Sequence, residues 1–201
     1  GTPDIPPMKA QLYVYFMHFY RAVRIFLQSG FRAVTIIDAR GYKTIMNFEV
    51  INGYLKECGY EDRVMQFEVS SATVELAAAA VGCEPARIAK TISFLTKEGA
   101  VLIVAAGDVK VDNGKFKAQF AQKAKMIPYE QVEELTGFKP GGVCPFCAKD
   151  GVRVYLDESL KRFDIIYPAA GSSNSAVRLT VDELLTLSNA LGWVDVTKSA
   201  L

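Results

Sequence analysis

Two apolar segments separated by a three-residue turn constrain the fold of this chain more than any other feature. Residues 90–96 alternate between polar and apolar side chains, and residues 100–106 are continuously apolar. Between them, Lys97-Glu98-Gly99 has the composition of a tight turn. Two strand-like segments joined by a short turn that contains glycine are typical of a β-hairpin. The sequence therefore predicts a pair of antiparallel strands near the middle of the chain.

Segments with helical periodicity lie on both sides of this hairpin. Apolar residues recur at helical spacing over residues 48–58, and a glycine follows them. The alanine-rich residues 73–81 predict a second helix, which we expect Ser71 to cap. Thr180 begins a capping-box pattern that predicts a third helix from residue 181 to about residue 191.

Short strands mixed with helices indicate the fold class. Further strand-like segments occur at residues 152–156, 165–167 and 176–179. Helices and hairpin-connected strands in one chain predict an α+β domain. With 201 residues, half of them hydrophobic, the chain can bury one core. Because the regular pattern begins late, we expect a single domain over residues 46–201 and an N-terminal extension over residues 1–45.

The ionisable residues limit the chemistry that this domain can perform. The single histidine is His18, so residues 46–201 contain no histidine for a general base, a Ser-His-Asp triad or a paired metal site. Four irregularly spaced cysteines fit neither a disulfide framework nor a four-cysteine zinc site. We therefore predict no metal site. Residues 46–201 carry 17 basic and 20 acidic side chains, so any contact with a nucleic acid should be local.

Residues 141–147, Gly-Gly-Val-Cys-Pro-Phe-Cys, allow two chemical interpretations. Cys144 and Cys147 form a C-x-x-C pattern, but a redox pair needs a lowered thiol pKa and a place at the start of a helix. A turn and a strand are predicted after these cysteines, so the helix lies on the wrong side. Alternatively, Gly141 and Gly142 let the backbone approach a ligand, where its N–H groups can donate to a developing oxyanion. A tight turn without a chemical role is the third possibility.

Four sequence segments, with the G-G-x-x-P-F loop between the first two, resemble the YbaK/EbsC family. Members of this family are free-standing aminoacyl-tRNA deacylases, related to the editing domain inserted in bacterial prolyl-tRNA synthetases. The similarity extends from about Ser70 to about Leu191. The four segments are Pro85–Phe94, Tyr155–Leu160, Ala170–Ser175 and Arg178–Thr180.

The resemblance implies a mixed, largely antiparallel curved sheet flanked by helices, and hydrolysis of the ester bond of mischarged aminoacyl-tRNA. Lys90 matches the functional lysine of the family, and Gly142 matches the loop glycine whose N–H is expected to point at the ester carbonyl. Cys147 stands where the family often has glycine. The substrate-binding residues that the resemblance implies are Thr91, Gly141, Pro145, Phe146, Gly171, Ser172 and Ser173.

The same resemblance implies the partners. We expect the acceptor end of a tRNA that carries an amino acid, an aminoacyl-tRNA synthetase as a second candidate partner, no cofactor and a cytoplasmic location. Arg21 and Arg24 interrupt the aromatic run near the N-terminus, so no stable membrane span is expected. Two rival functions remain open at this point: a non-catalytic module that binds tRNA ends or a nucleotide, and a thiol oxidoreductase that uses the C-x-x-C pair.

Overall fold

The computed structural model describes residues 47–200, and the predicted extension lies outside them. The boundary at residue 46 therefore stays a prediction. The α-helices are α1 (Phe48–Glu57), α2 (Val74–Val81), α3 (Asn113–Phe120), α4 (Val132–Thr136) and α5 (Val181–Leu187). The strands are β1 (Val64–Gln66), β2 (Ile88–Thr96), β3 (Gly99–Ala106), β4 (Val109–Val111), β5 (Arg153–Asp157), β6 (Ile165–Pro168), β7 (Ser175–Val177), β8 (Leu179–Thr180), β9 (Trp193–Val194) and β10 (Thr197–Ser199).

A six-stranded mixed sheet forms the centre of the domain, in the order β8-β6-β2-β3-β5-β9. The predicted hairpin is confirmed as β2 and β3, which pair antiparallel from Ala89–Ala106 to Thr96–Gly99. Two antiparallel ribbons, β1-β7 and β4-β10, accompany this sheet. Four of the seven strand pairings between described residues are antiparallel. The predicted α+β class with a mixed sheet is confirmed, and antiparallel pairing prevails when the two ribbons are counted with the central sheet.

The two faces of the central hairpin contact different hydrophobic clusters. Paired residues of antiparallel strands lie on the same face, and neighbours along a strand alternate. Leu102 and Val104 face the first cluster, to which α1, α5 and the loop after α4 also contribute. Val101 and Ile103 face the second cluster, which α3 covers with Phe116. The middle of the hairpin is therefore buried between these two clusters.

Local capping signals explain most of the helix ends. The Thr180 side chain accepts from the backbone of Glu183, whose carboxylate accepts from the Thr180 N–H, so the predicted capping box is confirmed. The cap predicted for α2 is wrong. Thr73, and not Ser71, accepts from the backbone N–H of Leu76, because Ser71 is bound elsewhere. Helix α5 also ends at Leu187, four residues before the predicted end.

Candidate active site

The glycine loop, residues 141–147, follows α4 and returns the chain to the sheet at β5. Gly141 has a φ of +85°, a backbone conformation that favours glycine. The N–H of Gly142 donates to the carbonyl oxygen of Lys139 at 3.0 Å and closes a turn. Cys144, Pro145 and Phe146 are buried, and the first and last of these belong to the first cluster. The loop is therefore anchored by its second half, while Gly141 is exposed and Gly142 is buried.

A second loop, residues 171–175, packs directly against these glycines. An ideal Cβ on Gly142 would lie 3.2 Å from the carbonyl oxygen of Gly171 and 3.3 Å from the Cα of Ser172. An ideal Cβ on Gly141 would lie 3.7 Å from the Cβ of Ser173. The structure thus brings together five predicted site residues that are about 30 positions apart in sequence. Glycine at position 142 therefore permits this close backbone approach without a shift of either loop.

Hydrogen bonds between polar side chains hold the second loop in place. The Ser172 hydroxyl lies 2.8 Å from Asn174 Oδ1 and 2.7 Å from Ser175 Oγ. The Asn174 side chain donates to the carbonyl of Phe67 at 2.9 Å, and the Phe67 N–H donates back to the Asn174 carbonyl at 2.8 Å. Sequence reasoning missed Asn174 as the residue that orders this loop. Its place in the polar Ser-Ser-Asn-Ser run was the available signal.

The chain before α2 connects this loop to the other end of the site. Ser71 donates to the Ser173 carbonyl from its N–H at 2.6 Å and from its hydroxyl at 3.1 Å. Three residues later, Val74 packs against Gly107 in the β3-β4 turn, where an ideal Cβ would lie 2.7 Å from Val74 Cγ1. Three residues span at most about 11 Å. Residues 71–74 therefore link the second loop to the β3-β4 turn through a short piece of chain.

Lys90 extends its side chain to this β3-β4 turn. Its ammonium donates to the carbonyl of Gly107 at 3.1 Å and to the carbonyl of Val109. Burial lowers the pKa of Lys90, because desolvation penalises the charged form, while the carboxylates of Asp108 and Glu75 partly oppose this effect. The site therefore contains a half-buried cation whose charge is poorly solvated.

Thr91, the next residue, lies on the opposite face of β2. It pairs with Val104 and so faces the first cluster, which the glycine loop also contacts. Its hydroxyl is buried and has no hydrogen-bond partner among the described residues. A buried polar group without a partner costs about 1–3 kcal/mol. Buried hydroxyls in native folds are usually paired with protein, with ordered water or with a ligand.

An opening in the sheet lies beside these two residues. The pairing of β2 with β6 ends at Ala89–Pro168. On the same edge of β2, the next contact is the N–H of Ile127, which donates to the carbonyl of Ser93 at 3.1 Å. Within residues 47–200, no strand pairs with residues 90–92 on this edge. We call this unpaired stretch of β2 the edge opening, and it leaves the backbone of residues 90–92 without a strand partner on that side.

The structure does not join every predicted residue in one contact network. Both hydrogen bonds of the Lys90 ammonium to described residues end on the β3-β4 turn and not on the glycine loop. Phe146 is fully buried and packs in the first cluster, where it anchors the second half of the glycine loop. Its predicted contact with substrate, like that of Pro145, stays a prediction. Within the described residues, no hydrogen bond joins Lys90 to the glycine loop or to the second loop.

The cysteine pair lacks the properties of a redox dithiol. Burial raises the pKa of the Cys144 thiol and raises that of the Cys147 thiol to about 12. An attacking thiol needs the opposite shift. Residues 148–152 form a turn that leads into β5, so no helix begins at this pair. The surroundings of both thiols argue against the oxidoreductase interpretation.

The described residues contain no helix that is both long enough and apolar enough to cross a bilayer. This finding concerns residues 47–200 alone.

Known proteins resemble this chain over the region that contains the site. The model of the family described as "Aminoacyl-tRNA editing domain" matches residues 68–187. "Uncharacterized protein YwhH" of Bacillus subtilis (strain 168) is 46% identical over 154 residues, which are 76% of this chain and 98% of that protein.

A second curated protein and a solved structure extend this likeness. "Putative Cys-tRNA(Pro)/Cys-tRNA(Cys) deacylase EbsC" of Enterococcus faecalis (strain ATCC 700802 / V583) is 28% identical over 132 residues, 65% of this chain and 80% of that protein. A crystal structure described as "a putative trans-editing enzyme for prolyl tRNA synthetase" superposes with a TM-score of 0.68 at 31% identity, covering 76% of this chain and 97% of that one. The chain therefore belongs to the aminoacyl-tRNA editing domain family, of the YbaK/EbsC type.

Proposed function

We propose that this protein is a trans-editing deacylase, which hydrolyses the ester between a tRNA and a wrongly attached amino acid. The observation that carries the proposal is the family match over residues 68–187, a range that includes every predicted site residue. The close approach of the two loops at Gly142 and the poorly solvated Lys90 ammonium support it. We expect the protein to act in the cytoplasm on the acceptor end of tRNA.

The reaction needs few protein groups because the aminoacyl ester is already activated. A water molecule adds to the ester carbonyl carbon, and the carbonyl oxygen becomes an oxyanion. The bond from that carbon to the ribose oxygen then breaks, and the proton lost by the water passes to the ribose oxygen. The products are the free amino acid and a tRNA with a free terminal hydroxyl. Positioning and oriented N–H donors supply most of the stabilisation in such a mechanism, without a metal or cofactor.

Each predicted residue has a role in this proposal. Lys90 places a positive charge beside the ester or the terminal phosphate, and its burial strengthens that interaction. The backbone of Gly141 and Gly142 receives the oxyanion, with the ester held against Gly171, Ser172 and Ser173. Thr91 offers its unpaired hydroxyl to the substrate or to the attacking water.

One observation favours a second function, a module that binds tRNA ends without hydrolysis. The N–H of Gly142 already donates to the Lys139 carbonyl. To stabilise an oxyanion, this turn must open or share its proton in a three-centre bond. The neighbouring N–H of Val143 makes no hydrogen bond to a described residue and is an alternative donor.

A panel of aminoacyl-tRNAs separates the two functions. The panel includes cysteinyl, alanyl and prolyl esters on tRNA(Pro), because one relative is described as acting on Cys-tRNA(Pro). Release of radiolabelled amino acid is compared with spontaneous hydrolysis in the same buffer. We expect at least one ester to be hydrolysed faster with the protein. Binding of tRNA without acceleration of any ester would support the non-catalytic module. The partnership with a synthetase is tested separately, by co-purification with added prolyl-tRNA synthetase.

A further inference from the structure

Residues 109–129 carry the strongest local charge imbalance of the described chain. This stretch contains five lysines and one acidic residue, Asp112. The other described residues carry 12 basic and 19 acidic side chains. A local excess of positive charge on an otherwise acidic body is the electrostatic footprint of a phosphate-binding surface.

Three of these lysines are available for a ligand. Lys117, Lys123 and Lys125 are exposed, and none of them has an ion pair or a side-chain hydrogen bond within the described residues. The basic residues around the nearby polar cavity of about 280 Å³ differ in this respect. There, Lys115 pairs with Asp195 and Arg162 pairs with Asp108. The free lysines, and not the cavity, therefore offer uncompensated charge.

The segment that carries the free lysines is firmly attached to the hairpin. The Gln122 side chain donates to the carbonyl of Leu95 at 3.0 Å and accepts from the N–H of Lys97 at 2.8 Å. The N–H of Leu95 donates to the carbonyl of Lys125 at 2.8 Å. A surface fixed in this way loses little conformational freedom when it binds a ligand.

The same segment leads to the edge opening of the candidate site. Ile127 is bonded to Ser93, and two residues later Tyr129 is 77% exposed. Met126 is 64% exposed beside it. Along β2, the distance from Leu95 back to Lys90 is about 17 Å. Exposed aromatic side chains beside lysines are typical of surfaces that stack single-stranded bases.

We propose that Lys117, Lys123, Lys125, Met126 and Tyr129 form the lysine surface, on which the acceptor arm of the tRNA docks. The phosphates of the arm contact the three lysines, and a base of the single-stranded 3′ end stacks on Tyr129. This directs the single-stranded 3′ end along β2 towards the candidate active site. The next residue after Tyr129 is Glu130, an exposed acidic residue at which the positive surface ends. The proposal rests on the proposed function for its choice of RNA as the partner.

The test measures binding of uncharged tRNA to the full chain, so it does not depend on hydrolysis. The variant is Lys117→Gln/Lys123→Gln/Lys125→Gln. The control is Lys56→Gln/Lys149→Gln/Lys161→Gln, which removes the same charge from exposed lysines elsewhere. Dissociation constants are measured by fluorescence anisotropy over a series of salt concentrations. Each lost phosphate contact lowers the slope of log affinity against log salt by about 1.

We expect the lysine-surface variant to lose about 3 from this slope and to bind roughly 10- to 100-fold more weakly near physiological salt. The control should keep the slope of the unmodified protein. Equal losses in both variants, or none in either, would overturn the proposal. The proposed function fails on a different result, the absence of ester hydrolysis.

Tyr129 is tested with a short single-stranded RNA that ends in CCA. Tyr129→Ala should weaken its binding roughly tenfold, because base stacking on the ring is lost. Tyr129→Phe should bind like the unmodified protein. Equal affinity of the alanine and phenylalanine variants would remove Tyr129 from the surface.

Discussion

Lys90 and Thr91 are neighbours in sequence, yet they serve two different faces of β2. The Lys90 ammonium is bound by the backbone carbonyls of Gly107, in the β3-β4 turn, and of Val109, at the start of β4. The Thr91 hydroxyl is buried on the other face without a partner among the described residues. One side chain is held in place by the backbone, whereas the other makes no hydrogen bond to a described residue.

This difference indicates how a strand can supply a site with two kinds of group. A strand alternates its side chains between faces, so a charged residue and a hydroxyl can be adjacent without competing for each other. The carbonyls fix the charge of Lys90, and the substrate is expected to complete the hydrogen bond of Thr91. The comparison predicts that the lysine contributes mainly charge, and that the threonine contributes a single hydrogen bond.

The largest effect is expected from removal of the charge. Lys90→Ala should lower kcat/KM for deacylation by roughly 10²- to 10³-fold, the range seen when one oriented electrostatic group is lost from an active site. The far-ultraviolet circular dichroism spectrum should not change. Lys110→Ala, which removes an exposed lysine from β4, is the matched control. A folded Lys90→Ala protein with full activity would end the assignment of Lys90.

The second effect concerns the backbone contact between the two loops. In Gly142→Ala the new Cβ would lie 3.2 Å from the Gly171 carbonyl oxygen, so one of the loops must shift by a few tenths of an ångström. We expect kcat/KM to fall roughly 10- to 100-fold, because small displacements of reacting groups are costly.

The control for this variant is Gly53→Ala in α1, where an added Cβ meets no atom within 4 Å. Alanine favours a helix more than glycine does, so this control should gain up to about 1 kcal/mol in the free energy of unfolding. Its deacylation rate should stay the same. Full activity in Gly142→Ala, like that expected of the control, would show that the close approach at Gly142 does not affect catalysis.

Local sequence patterns predicted much of the fold. The hairpin, the capping box at Thr180 and the helix before Gly59 follow from turn residues, capping residues and periodicity, which act within a few residues. The pairing of β1 with β7 joins residues that are more than 100 positions apart. No local pattern specifies such a pairing, and it also explains why Ser71 is bonded to the second loop and does not cap α2.

The candidate site was predictable in part, for the same reason. The positions of Lys90 and of the glycine loop came from the resemblance to a family, and the packing of Gly142 on Gly171 is a tertiary contact that only the structure shows. Strand alternation alone could have predicted that Lys90 and Thr91 face apart. It could not have predicted that the Thr91 hydroxyl lacks a partner, since this depends on every residue packed around it.

The third effect separates stability from activity at Thr91. Thr91→Val replaces the unpaired hydroxyl with a methyl group of similar shape, so the free energy of unfolding in urea should rise by about 1 kcal/mol. If the hydroxyl bonds the substrate, kcat/KM should fall about tenfold, because one neutral hydrogen bond contributes about 1 kcal/mol. Thr91→Ser keeps the hydroxyl and should keep the rate. A valine variant that is both more stable and fully active would make Thr91 a purely structural residue.

The smallest effect tests whether Cys147 acts through its backbone or through its thiol. Cys147 has a φ of +52°, a left-handed conformation that costs a residue with a Cβ about 1–2 kcal/mol. The Ala and Gly substitutions both remove the thiol, so the difference between them isolates this conformational cost. Cys147→Gly should be more stable than Cys147→Ala by about 1 kcal/mol in urea unfolding, and both should deacylate at the unmodified rate. A loss of activity in both would instead assign a function to the thiol. An alanine variant as stable as the glycine variant would show that the left-handed backbone carries no cost here.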